Sequence, residues 1–351
     1  MPALTFTGPD ALEWRDEATP PELGSDVAAL VRPIAVATCD LDDMIVAGAA
    51  PFPAPFAIGH EGVAEVVDVG DAVTAFKPGD RVIVPFQVSC GTCGPCSEGR
   101  SGNCTTVPWG STYGFGFGDA YWGGFLADVV RVPYADHMLV PLPAGVSPEA
   151  AASLSDNITD GYRTVSMLRD RWPGAPVLVV GGAAAGSIAL YAVGHAVALG
   201  SERVLYVDRD PTRRAVAERL GAHETLGELP ERLREGFPIT VDGSANPRGL
   251  ELALRATAPD GICTSTGIYF PGAAKPPDFP LFEMYVRNAT FVTGRPHVRT
   301  VIQDALAPIS SGALDPTLVT TRVIDWNDAA DALVEHDWTK LVFTRPARDA
   351  A

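Results

Sequence analysis

In the first third of the chain, apolar positions form short runs or alternate with polar ones over strand lengths. "EGVAEVVDVGDAV", "GDRVIVPFQV" and "ADVVRVPY" carry β-branched residues between Gly, Pro and Asp turn signals, and they predict a β-rich, barrel-like domain. From about residue 175 the pattern changes. "PVLVVGG", "RVLYVD", "ITVDGS" and "GICTSTG" are strand-length apolar runs separated by segments that suit helices, which predicts a parallel sheet covered by helices. Between the two regions, Ser147 and Pro148 of "MLVPLPAGVSPEAAASL" open a helix as N-cap and first-turn proline. The end of the chain holds two amphipathic stretches separated by a strand. The expected division is 1–152, 153–290 and 291–351, with the last segment completing the second domain and returning to the first.

Length and composition narrow the picture. A chain of 351 residues suits two domains, and 46% hydrophobic with 20% charged residues is globular composition. The formal net charge of −17 lacks the electrostatic footprint of a nucleic-acid binder. From Trp172 to Ser201 there is no Asp, Glu, Lys or Arg, a length that would license a membrane span. Gly181-Gly182 breaks that run, so it is read as a strand, a turn and a helix, with no membrane partner. "MPALTFTGPDALEWRDE" lacks the basic start and apolar stretch of a signal peptide, so the expected location is cytoplasmic.

The turn after "PVLVV" carries chemistry. A dinucleotide site wants glycine for a tight turn, glycine for close pyrophosphate approach and glycine for helix–strand packing. Gly181 and Gly186 fill the first and third roles, Ala183 stands at the second, and Gly182 and Ala185 complete the loop. The helix that follows offers its N-terminal N–H groups to a pyrophosphate. "RVLYVD" then ends at Asp208, an acid that can accept from both adenosine-ribose hydroxyls and repel a 2′-phosphate. NAD(H) is therefore favoured over NADP(H), although Arg209 next to it could meet a 2′-phosphate.

Four of the six cysteines lie in "CGTCGPCSEGRSGNC", at positions 90, 93, 96 and 104. In a reducing compartment such a cluster binds metal more often than it forms disulfides. Cys90, Cys93, Cys96 and Cys104 together close a tetrahedral shell around zinc and leave no position for a substrate. A disulfide pair or redox motif is the competing reading. Outside the cluster, Cys39, His60 and Asp156 supply a thiolate, an imidazole and a carboxylate, a set that leaves a fourth position open on zinc. Spacing alone does not separate that set from residues with structural roles.

A family resemblance joins these signals. "GHEGVAEVVDVGDAVTAFKPGDRV", the cysteine lobe, "LSDNITDGY" and "VLVVGGAAAGSIAL" together resemble the zinc-dependent medium-chain alcohol dehydrogenases from about residue 30 to the C-terminus. The resemblance implies an α/β protein: a GroES-like β-barrel catalytic domain plus a Rossmann-type, doubly wound cofactor domain. It also implies two zinc ions per chain, one catalytic and one structural, and a homodimer or homotetramer. Cys39, His60 and Asp156 would hold the catalytic zinc, Glu61 would be an exchange ligand, and Asp42 would orient the imidazole. Lys340 falls near a basic residue that contacts the pyrophosphate. The implied reaction is hydride transfer between NAD(H) and an alcohol, ketone or aldehyde.

One departure stands out. Family members place a hydroxyl residue and often a histidine after the zinc cysteine as a proton relay, whereas this chain has Leu41 and Met44 there. Reduction of an activated C=C double bond therefore stays open as an alternative. A non-enzymatic zinc or redox-sensing regulator is a further one, because thiolates release zinc on oxidation. For the substrate pocket, Phe86 and the aromatic, Gly-rich "WGSTYGFGFGDAYWGGF" with Trp109 and Tyr113 suggest a lining for a bulky or apolar substrate.

Overall fold

The structure is a computed structural model that describes residues 1–16, 21–182, 185–270 and 279–346. The chain separates into two compact units; it returns twice to the first and once to the second. The first contains Met1–Thr159, Pro296–Leu306 and Thr320–Ala351; the second contains Asp160–Arg295 and Ala307–Val319.

In the first unit a seven-stranded sheet runs in the order Arg322–Asp325, Leu341–Thr344, Ala29–Ala37, Glu61–Val69, Arg81–Val84 and Val140–Pro141, with Val130–Val132 also paired to Ala29–Ala37. Ala29–Ala37 and Glu61–Val69 are antiparallel neighbours, and their register sets Ala37 opposite Glu61. The apolar residues of these strands are buried, including Val31, Val36, Val63, Val66, Val82 and Ile83. A three-stranded sheet of Ala11–Asp16, Pro2–Gly8 and Phe56–Ala57 completes this β-rich unit.

The second unit holds a six-stranded sheet in which every neighbouring pair is parallel. Its order is Glu224–Leu226, Val204–Val207, Val177–Val180, Phe237–Asp242, Thr257–Ser265 and Thr290–Thr293. That is the 3-2-1-4-5-6 order of the doubly wound dinucleotide fold. Val177–Val180 and Val204–Val207 are buried throughout, as strands covered on both faces must be. Helix Ser187–Ala198 follows the central strand and is itself largely buried, which accounts for the uncharged run in the sequence. Among the described residues no helix is long and apolar enough to cross a membrane.

Candidate metal centre and dinucleotide turn

The register Ala37↔Glu61 explains why residues far apart in sequence meet. Two residues beyond Ala37, Cys39 is the N-cap of helix Asp40–Val46, and His60 stands just before the partner strand. Cys39 and Asp42 form a capping box: the Cys39 thiol accepts from the Leu41 N–H at 3.4 Å, and Asp42 Oδ2 accepts from the Cys39 N–H at 2.7 Å. Three acids in the first turn, Asp40, Asp42 and Asp43, suit the positive end of the helix dipole. The third arm is the turn Ala152–Ser155. Ser155 Oγ donates to the Gly62 carbonyl at 3.1 Å and accepts from its N–H at 2.9 Å, which pins Asp156 against the same strand.

These elements bring Cys39, His60, Glu61 and Asp156 together, all buried, with donor atoms within 4.8 Å of one another. Asp156 Oδ2 lies 3.3 Å from Cys39 Sγ and 3.5 Å from His60 Nε2. Asp42, the acid expected to orient the imidazole, holds the cysteine backbone through Oδ2, and its Oδ1 faces His60 Nδ1 at 3.6 Å. Lys340, which falls near the family's pyrophosphate-contacting residue, is fully buried beside this cluster, donating to the Thr38 carbonyl and, at 3.1 Å, to Glu61 Oε2. Its place follows from the pairing of Val342 with Ala37.

The cluster fits a cation. Burial, then the Asp156 and Glu61 charges, push the Cys39 thiol well above its ordinary range. Burial likewise pushes Glu61 up to about 8. Anionic donors packed this closely away from water repel one another, and a divalent ion bound among them reverses that penalty. Neither His60 nitrogen makes a hydrogen bond although the ring is completely buried, as expected of an imidazole kept for a metal. Sequence reasoning missed Asn157. Its Oδ1 lies 3.2 Å from Cys39 Sγ, its N–H donates to Glu61 Oε1 at 3.2 Å, and its Nδ2 donates to Asp40 at 3.4 Å.

The second cluster, Cys90, Cys93, Cys96 and Cys104, also has its sulfurs within 4.8 Å of one another. All four are free thiols, and Cys93 Sγ stands 3.8 Å from Cys104 Sγ. A disulfide would need about 2.05 Å, whereas sulfurs about 2.3 Å from one zinc sit near 3.8 Å apart by tetrahedral geometry. Backbone N–H groups of Thr92, Cys93 and Thr105 point at the sulfurs of Cys90 and Cys93, each at 3.4 Å. The bond from the Thr105 N–H, then that from the Cys96 N–H, lowers Cys93 to about 5, toward the thiolate a metal requires.

In the second unit the Gly-rich turn also fits its expected ligand. Gly186 adopts a left-handed φ of 77° as N-cap of helix Ser187–Ala198 and brings no side chain over its amides. At Gly182, φ is 111° and nothing lies near a built Cβ, so the turn is strained for any other residue and presents open backbone. Gly181 faces inward, where a Cβ would meet Tyr206 Oη at 2.5 Å and Asp208 Oδ2 at 2.7 Å. Ala185 is buried, and Ala183 lies outside the described residues. Asp208 directly follows strand Val204–Val207, buried, with Arg209 exposed beside it.

Aromatic rings lead away from His60. Phe115 meets its ring edge-on at 4.9 Å between centroids, and Phe86 lies at 5.7 Å. Phe52 packs on Phe115 and on Phe117, each at 5.2 Å. Of the expected pocket residues, only Phe86 is placed against the cluster by these contacts. Trp109 is 83% exposed, and Tyr113 is core, packed on Phe125 and donating to the Arg131 carbonyl at 2.8 Å. Period and composition flagged the aromatic loop, but the side of the barrel each ring occupies depends on loop conformation.

Comparison with known proteins agrees with this geometry. Residues 25–144 match the family described as alcohol dehydrogenase GroES-like domain, and residues 187–306 match the zinc-binding dehydrogenase family. A "probable zinc-binding alcohol dehydrogenase" of Mycobacterium tuberculosis is 27% identical over 94% of this chain and 84% of its own length. A medium-chain reductase/dehydrogenase of an Acremonium species is 33% identical over 69% of this chain and 79% of its own. Among solved structures, an alcohol dehydrogenase from Thermus sp. ATN1 superposes with a TM-score of 0.87 at 28% identity, covering 98% of this chain and 99% of that one.

Proposed function

The chain belongs to the zinc-dependent medium-chain dehydrogenases, and on that premise we propose that it moves a hydride between a nicotinamide dinucleotide and a bulky or apolar alcohol, ketone or aldehyde. The observation that carries this reading is the buried convergence of Cys39, His60, Glu61 and Asp156. Cys39, His60 and Asp156 would hold a catalytic zinc, with Glu61 as an exchange ligand. Cys90, Cys93, Cys96 and Cys104 would hold a structural one. Zinc in the first site supplies a Lewis acid that makes an alcohol proton acidic near neutral pH, and the nicotinamide supplies the hydride acceptor.

The chain's own residues do the positioning. Asp42 fixes the Cys39 backbone and faces the imidazole, so two donors keep their places through turnover. Lys340 balances the charge of Glu61. Phe86 and Phe115 flank His60 and exclude water from that side, and Phe52 and Phe117 extend the apolar wall to the surface of the unit. Gly181, Gly182, Ala185 and Gly186 would receive the pyrophosphate at the start of helix Ser187–Ala198. For the adenosine ribose, Asp208 favours NAD(H), and the neighbouring arginines favour its 2′-phosphate.

A second reading, reduction of an activated C=C bond, is favoured by Leu41 and Met44, neither of which can pass a proton; Leu41 is buried. Initial rates on ethanol, cinnamyl or cyclic alcohols and matched enones distinguish the two. The alcohol reading expects turnover of bulky alcohols with kcat/KM at least about tenfold above ethanol. Turnover of enones alone would contradict it.

A further inference from the structure

Asn157 is completely buried and touches two donors of the first cluster, Cys39 and Glu61, while directly following a third, Asp156. It opens helix Asn157–Val165. Its backbone N–H is one of the first-turn amides that a helix cannot satisfy itself, and it donates to Glu61 Oε1 at 3.2 Å. Lys340 donates to the other oxygen of Glu61 at 3.1 Å, so both are held. The side chain serves the start of helix Asp40–Val46. Its Oδ1 lies 3.2 Å from Cys39 Sγ, and its Nδ2 donates to Asp40 Oδ1 at 3.4 Å.

Three groups meet the Cys39 sulfur: Asp156 Oδ2 at 3.3 Å, the Leu41 N–H at 3.4 Å and the Asn157 carboxamide. As a thiol, the sulfur gives its proton to an oxygen. As a metal ligand it is a thiolate and only accepts. The Asp156 carboxylate has no proton to offer it, and the Leu41 amide already donates from the capping turn. A carboxamide carries an acceptor at one end and N–H donors at the other, and a half-turn exchanges them. Nδ2 then faces the sulfur. The same half-turn brings Oδ1 to Asp40, which is half-buried and can turn its carboxylate to water. A donor on a metal-bound sulfur draws charge off it and leaves the ion more electron-poor, and in a buried site such a bond to an anion is strong.

We propose that Asn157 is a positioning residue: its carboxamide donates to the Cys39 sulfur when the metal is bound, which strengthens the ion as a Lewis acid, while its backbone N–H holds Glu61. The proposal rests on the zinc reading of the Cys39 cluster and adds a residue to it. An apolar side chain of similar size would fill the same space but leave the Leu41 N–H to serve the sulfur.

Cobalt(II) loaded at the Cys39 site, with zinc kept in the cysteine lobe, tests this, because the sulfur-to-cobalt charge-transfer band reports on the Cys39 sulfur directly. Asn157→Leu keeps the side-chain volume and removes the donor. It should move the band to longer wavelength and weaken cobalt about 10–100-fold against a competing chelator. The pH profile of alcohol oxidation should move up in the same variant, since the substrate hydroxyl then keeps its proton to higher pH. Should Asn157→Leu fail to fold, Asn157→Ala carries the same readings. A band at the wild-type position in both substitutions, with cobalt bound, makes Asn157 a tie between helices and overturns the proposal alone. Wild-type protein that takes no cobalt at this site overturns the proposal together with the zinc reading.

Discussion

Single carboxylates decide much of this chemistry. Asp42 spends one oxygen on the Cys39 N–H and turns the other to His60, so it couples a helix cap to an imidazole. Asp42→Ala should lower zinc affinity at this site about 10–100-fold, measured by competition with a chromogenic chelator; unaltered affinity would make Asp42 a cap only. His336 tests electrostatics away from the metal. Its hydrogen bond to Asp43 at 2.6 Å, then that to Asp10 at 3.0 Å, raises its pKa above the ordinary histidine value. The stabilisation is complete below about pH 6.5, where the unfolded chain is protonated too, and it is lost as pH rises through the higher folded value. His336→Gln should therefore cost more Tm at about pH 5.5 than at about pH 8.5; an equal loss at both would contradict the ion pair's role. At this scale the sequence is legible where a residue type is rare in its role: Cys39, His60 and Asp156 stand out by their motifs, and the fold brings them together. Asn157 does not, because a common residue announces its partners only once strand ends and turns are placed.

Elements explain why the named residues converge. The antiparallel register of Ala29–Ala37 with Glu61–Val69 and with Leu341–Thr344 gathers Cys39, His60, Glu61 and Lys340 at one end of the sheet. Long-range pairing of that kind leaves no local mark, and so the contact of Lys340 with Glu61 is not legible in the sequence. The Rossmann strands, by contrast, were readable as uninterrupted apolar runs, since both faces of a parallel sheet are covered. The turn they frame is sensitive to one methyl. Gly181→Ala places a Cβ 2.5 Å from Tyr206 Oη, so NADH binding followed by fluorescence should fall at least about tenfold while the fold persists. Wild-type affinity would show that the turn yields. In the cysteine lobe, Cys104→Ser should release one zinc and destabilise the protein by about 4 kcal/mol or more, read by metal analysis and denaturant melts. Retention of both the metal and the stability would contradict a structural site.

At the scale of the whole molecule, exposed apolar surface concentrates on one side of the dinucleotide unit. Phe282 and Tyr285, 78% and 81% exposed, stand with Leu281 and Val286 on helix Leu281–Arg287, and Val292 is exposed on Thr290–Thr293, the last strand of the sheet. An apolar sheet edge invites pairing with a second copy. The homodimer or homotetramer expected from the family is proposed to assemble through this edge, and Tyr285→Lys with Phe282→Lys should lower the mass read by light scattering. An unchanged mass would place the interface elsewhere. The acidic, globular character was legible from composition, whereas this exposed edge depends on which strand comes last in the sheet. The central claim is that two separate ligand sets hold two zinc ions, one of them at the site of chemistry. Zinc per chain, counted by plasma mass spectrometry alongside alcohol turnover in wild type and Asp156→Ala, tests it most directly. The account predicts two ions falling to one, with turnover lost and the melting profile of the cysteine lobe intact. Two ions retained in the variant, or full turnover with one, would contradict it.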